Sequence, residues 1–139
     1  MRTLNVRLLA ILLGITAVVA IGVFGINRFQ RHRHAGTFLE KARELNKGDT
    51  LEQRRDAESN FVSYLRLVPD DTVARAEFGL YCADMAQAVA GYHELAVDQL
   101  ERVLREDISH DEARRRLVEI YLPFRRFSDA KKHLDVLRQ

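Results

Sequence analysis

The chain has 139 residues, 47% of them hydrophobic and 30% charged, enough for one modest domain beside a targeting segment. Its net charge of +2 is uneven: Arg2, Arg7, Arg28, Arg31 and Arg33 occupy an acid-free first 35 residues, and removing those five from the 22 basic residues leaves 17 against 20 acids, or −3, over 36–139. That balance excludes a basic nucleic-acid-binding domain. A single cysteine, Cys82, excludes an internal disulfide, and inside an apolar stretch it reads as a buried structural thiol.

The first predicted element is LLAILLGITAVVAIGVFGI, Leu8 to Ile26, which runs 19 residues without a charge and with Thr16 as its one polar side chain. A helix of that length spans about 28 Å, close to the hydrocarbon core of a bilayer. Arginines flank both ends, where long basic side chains snorkel to the headgroups. The expectation is a single-pass membrane anchor over about 8–26, with a basic juxtamembrane segment completing residues 1–35. A cleaved signal peptide is the competing reading. It is disfavoured because the apolar run continues past the small-residue sites at Ala20 and Gly22 and then meets the basic cluster RFQRHRH. With basic residues on both flanks, the side of the membrane is not fixed. Ala10, Gly14 and Gly22 share one helix face, a pattern that supports self-association.

Beyond residue 35 the pattern is helical throughout. Phe38, Ala42 and Leu45 mark a short helix ending in the loop Asn46-Lys47-Gly48. Next comes DAESNFVSYLRLVPDD, where Ala57, Phe61 and Tyr64 stand at offsets 0, 4 and 7 and Pro69 follows. Those offsets place the three side chains on one stripe, with the proline past the helix end. The same offsets return from Ala96, as Leu100, Val103 and Ile108, and from Ala130, as Leu134 and Leu137. Ala96 and Ala130 lie 34 residues apart, and Ala57 and Ala96 lie 39 apart, the excess falling in DMAQAVAGYHELA. Two antiparallel helices approach closely only where one carries a small side chain, so the three alanines mark crossing points. Capping boxes are expected at Thr37 with Glu40, Asp49 with Glu52, and Ser109 with Glu112.

A small residue opening each second helix at this period resembles the tetratricopeptide repeat. RRDAESNFVSYLRLVPDD and RFSDAKKHLDVL are similar to its second helix. TVARAEFGLYCADMA, with Phe78-Gly79 then Cys82, and DEARRRLVEIYLPF, with Leu117-Val118 then Tyr121, are similar to its first. The resemblance covers about 36–139, in units of about 36–71, 72–110 and an incomplete 111–139. Ile108 departs from it, standing where the family usually has proline. It implies an all-α fold: the transmembrane helix followed by a right-handed helix-turn-helix α-solenoid, with Ala57, Phe61, Tyr64, Pro69, Phe78, Gly79, Ala96, Leu100, Tyr121, Ala130 and Leu134 as packing positions. Gln139 falls inside the last predicted helix with no polar capping helix after it, so the final apolar face needs cover from another chain or from further sequence.

Catalytic and metal-binding patterns are not found. His93-Glu94 starts like a zincin motif, but Val97 stands where the second histidine belongs. His32 and His34 read as an interfacial cluster; His110 and His133, and the run Arg114-Arg115-Arg116, read as solvated helix faces, and Glu101 as exposed. The glycines needed for a phosphate cradle are absent. No enzyme activity, cofactor, metal, nucleic acid or small-molecule substrate is expected. What the resemblance implies instead is a concave groove for a peptide or helix of a protein partner, lined by Val73, Ala76, Leu80 and Ala83 in the second unit and by Glu112, Arg115 and Glu119 in the third. Glu112 stands where the carboxylate-clamp subgroup needs a basic residue, which excludes that subgroup. The expected role is a membrane-anchored adaptor. The alternatives are the N-terminal part of a larger enzyme with catalysis beyond Gln139, or an exported repeat protein without its signal peptide.

Overall fold

A computed structural model of the chain describes residues 35–138, together with Ile15, Thr16 and Val19, which are helical. The expected membrane span, 8–26, otherwise lies outside the described residues, and no helix among them is long and apolar enough to cross a membrane. The described residues are helices and turns with no strand: α1 over 35–46, α2 Leu51–Leu67, α3 Thr72–Met85, α4 Tyr92–Glu106, α5 Asp111–Tyr121 and α6 Phe127–Leu137. The fold is all-α, and neighbouring helices stack in chain order in a solenoid-like way.

The helix starts follow local hydrogen-bonding chemistry, and here the three expected capping boxes are corrected. Thr37 lies within α1, and Ala35, already buried in the core, holds the helix in place before it. The cap of α2 is Thr50, one residue after Asp49. Thr50 Oγ1 accepts from the Gln53 N–H at 3.2 Å, while Gln53 Oε1 accepts from the Thr50 N–H at 3.3 Å, the reciprocal pair that satisfies two orphan donors. Before α5 the Ser109 hydroxyl is turned back to Asp107 Oδ1, to which it donates at 2.6 Å, and the cap is His110, whose Nδ1 accepts from the Ala113 N–H at 3.2 Å. Asp71 caps α3, taking the Ala74 N–H at 2.9 Å and the Tyr64 hydroxyl at 2.5 Å.

The buried stripes place the core. Ala57, Phe61 and Tyr64 all face inward from α2, and Ala96, Leu100 and Val103 do the same from α4. In α1 the stripe is Ala35, Leu39 and Ala42, again at offsets 0, 4 and 7, and Phe38 is left 37% exposed. The expected α1 stripe is therefore shifted by one residue at its first position. Phe61, Phe78 and Tyr81 form an aromatic centre with ring centroids 5.5, 5.6 and 6.1 Å apart. The Tyr81 hydroxyl donates to the Arg54 carbonyl at 2.6 Å, which satisfies the one polar atom of that cluster. At Gly79 α3 approaches α4 closely: a Cβ there would stand 2.7 Å from Leu100 Cδ2. Pro69 is exposed and follows the end of α2, and Leu134 is half-buried. Cys82 is buried and free; burial pushes its thiol well above the usual range.

One polar side-chain contact joins each helix to the second helix after it. Arg43 of α1 donates two hydrogen bonds to Glu77 of α3, at 2.7 and 2.6 Å. The Tyr92 hydroxyl of α4 donates to Glu58 of α2. Arg116 of α5 donates to Asp84 of α3 at 2.7 Å, and His133 Nε2 of α6 stands 3.3 Å from Glu101 of α4. The partners are separated by 34, 34, 32 and 32 residues. Two rows of helices result, α1–α3–α5 and α2–α4–α6, each tied internally at nearly one period. Partly exposed pairs of this kind contribute only about 0–1 kcal/mol each, so packing, mainly between helices adjacent in the chain, holds the stack together while the ties run along the rows.

Candidate functional site

Two surfaces are built by these rows. The first is the α1–α3–α5 row, where the expected groove residues lie. Val73 is 67% exposed, Leu80 is half-buried, and Ala76 and Ala83 are buried. Those two alanines are thus core positions, and the apolar part of the surface reduces to Val73 and Leu80. On α5, Glu112, Arg115 and Glu119 are all exposed, at offsets 0, 3 and 7 along one helix face. Arg116 links the two helices. It donates to Asp84 on α3 at 2.7 Å and to Glu119 on its own helix at 3.0 Å. On the other side, Arg43 and Glu77 join α1 to α3. The row is therefore a mixed-charge surface with an apolar edge, and Arg43, Glu77, Asp84 and Arg116 are constituents that sequence reading did not single out. Their signal was present as acid–base pairs one period apart.

The second surface is a cleft of about 520 Å3 between α4 and the α5–α6 turn, within the range of about 300–1,000 Å3 typical of ligand pockets. From α4 come His93, Glu94, Val97, Asp98 and Glu101; from the end of α5 and the turn come Ile120, Tyr121, Phe124 and Arg126. Positions 94, 98 and 101 are at offsets 0, 4 and 7, so one helix face presents three carboxylates. The opposite wall is aromatic. Tyr121 is buried and donates its hydroxyl to Glu101 at 3.0 Å; burial, with the Glu101 charge adding to it, pushes the phenol up to about 12. The Arg126 guanidinium lies 4.5 Å from the centre of the Tyr121 ring and is paired with Asp129 at 2.7 Å. Phe124, 55% exposed, meets the His93 ring edge-on at 4.8 Å.

The turn has this form because Arg125 takes a left-handed φ of 57°, a conformation that an L residue other than Gly seldom adopts. It turns the chain so that Phe124 and Arg126 face α4. Behind the cleft, His133 stacks on Tyr121 at 5.8 Å, and its Nδ1 has no hydrogen-bond partner among the described residues.

Three expectations about solvated side chains are corrected. His133 is 8% exposed and Arg114 is 5% exposed. Both hold other parts of the chain: His133 pairs with Glu101, and the Arg114 guanidinium donates to the Ile108 carbonyl in the α4–α5 turn. Glu101 is likewise half-buried, because it serves Tyr121 and His133 together. The run Arg114-Arg115-Arg116 is consequently divided among three roles and presents no common basic patch. Periodicity concealed all three, since a charged residue on an inward stripe looks like a break in the stripe. Comparison of the chain with protein-family models, with curated proteins and with solved structures finds no match.

Proposed function

We propose that the protein is a membrane-anchored adaptor, a tetratricopeptide-like right-handed α-solenoid that binds a protein partner along its α1–α3–α5 row. The observation that carries the reading is the near-periodic spacing of the helix ties, at 34, 34, 32 and 32 residues. Such spacing gives stacked helix pairs with long faces and fixes the α3 and α5 surfaces relative to each other before any partner arrives. Preformed geometry of this kind spares a complex part of its ordering cost. The Leu8 to Ile26 segment supports an anchor by its length and composition. Confinement to a membrane raises the effective concentration of whatever the row binds there.

The test is site-specific photo-crosslinking of the full chain in its native membrane. A crosslinking side chain replaces Leu80 or Glu119 on the row, or Arg55 on the exposed part of α2. Discrete protein adducts from Leu80 and Glu119, and none from Arg55, are expected. Equal adducts from all three positions, or none from any, would refute the assignment.

A further inference from the structure

We infer that the cleft between α4 and the α5–α6 turn receives an arginine side chain of the partner. This inference rests on the adaptor reading, because the arginine is carried by a peptide. The cleft sets a wall of Ile120, Tyr121 and Phe124 opposite the α4 carboxylates Glu94, Asp98 and Glu101, with Val97 between them on α4. Its one arginine, Arg126, is already paired with Asp129, and His93 also lines it. Asp98 is shared with Arg102 at 3.1 Å, and Glu101 serves Tyr121 and His133. Glu94 has no ion-pair partner among the described residues. The cleft is therefore complementary to a cation that also has an apolar, flat surface.

The chain's own Arg126 supplies a template for that occupant. Its guanidinium lies over the Tyr121 ring while a carboxylate takes its N–H groups, so this wall already holds one guanidinium between an aromatic face and an acid. Phe124, which is 55% exposed, and Glu94 line the same cleft and bring an aromatic ring and a carboxylate to it. A guanidinium is planar, stacks on aromatic rings and is weakly hydrated, whereas an ammonium is a compact, strongly hydrated charge. Arginine is accordingly favoured over lysine, and an uncharged isostere is disfavoured by the acid wall.

The probe is a capped pentapeptide with a central arginine flanked by leucine and then glycine, compared with its lysine and citrulline counterparts. Binding to the full chain in detergent is followed by NMR of the Val97 and Ile120 methyl groups. The arginine peptide should shift both signals saturably and bind about tenfold or more tighter than the citrulline peptide, with the lysine peptide between them. Glu94→Gln combined with Asp98→Asn should remove the preference while leaving the helical signal unchanged. Citrulline binding as tightly as arginine, or Val97 and Ile120 unmoved by every peptide, would overturn the assignment; equal binding of lysine would overturn its guanidinium specificity. Crosslinks from Leu80 and Glu119 alongside such a failure would leave the adaptor role in place and remove the cleft from it.

Discussion

Gly79→Ala sets two effects of opposite sign against each other, and the structure decides between them. In an α-helix interior alanine is favoured over glycine by about 0.8–1 kcal/mol, so propensity alone predicts stabilisation. The added methyl, however, would stand 2.7 Å from Leu100 Cδ2, 3.0 Å from Leu100 Cγ and 3.4 Å from Gln99 Cβ. Leu100 is fully buried and has no open space to enter, so α3 and α4 must separate or Leu100 must leave its rotamer. Overpacking of that kind costs about 1–3 kcal/mol, and the net change is a loss of about 1 kcal/mol. For a domain near 100 residues this lowers Tm by about 4–8 °C. The decisive comparison is a double-mutant cycle with Leu100→Ala, measured by urea and thermal unfolding of the full chain in detergent. Leu100→Ala alone should cost about 2–5 kcal/mol by opening a cavity. In that background the Gly79 methyl has room, and Gly79→Ala should stabilise by about 1 kcal/mol, giving a coupling of about 2 kcal/mol. Stabilisation by Gly79→Ala in the native background, or strict additivity in the cycle, would refute the close approach of α3 and α4 at this pair.

Ala130→Leu should cost about 1–3 kcal/mol by overpacking, while Glu52→Leu at an exposed position should stay within about 0.5 kcal/mol; equal shifts in the urea midpoint would refute the register of α6. Burial, reinforced by Asp71 for Tyr64 and by Glu101 for Tyr121, pushes both phenols up to about 12, and Tyr81 and Tyr92 are raised too. The fold thus favours the neutral phenols: their contribution is complete below the unfolded value of about 10 and is lost as pH rises from there through about 12. Phenolate absorbance should rise together with loss of helical circular dichroism in that window, and phenolate forming near pH 10 with helicity intact would contradict it. An alkaline carbonate wash should leave the chain with the membrane pellet, and its release into the supernatant would remove the anchor.

The alanine stripe was legible because it states a distance. Ala57, Ala96 and Ala130 are all buried, and they recur at intervals of 39 and 34 residues, longer than any one helix here. Gly79, which makes room for Leu100, was legible for the same reason. Helix starts were legible only to within one residue, since Asp49 and Thr50, or Ser109 and His110, offer the same chemistry in adjacent positions. Which one caps shows only in the fold: the Ser109 hydroxyl points back to Asp107, and Thr50 has Gln53 at the right distance.

The cleft was not legible, and the reason is physical. Its two walls lie on different helices, and its shape depends on the left-handed φ of Arg125, which side-chain chemistry gives no cause to expect at an arginine. Its polar residues were also misread one at a time. Glu101 and His133 each look like ordinary surface residues, yet at 32 residues apart they repeat, one unit on and across the α4–α6 pair, the relation that Glu58 and Tyr92 have at 34. A hydrophobic stripe shows itself within one helix, whereas a polar tie shows itself only when positions one period apart are compared for complementary charge or hydrogen bonding. Applied to this chain, that comparison pairs Arg43 with Glu77 and Asp84 with Arg116 as well, and it recovers Glu101 and His133, which amphipathic analysis assigns to solvent.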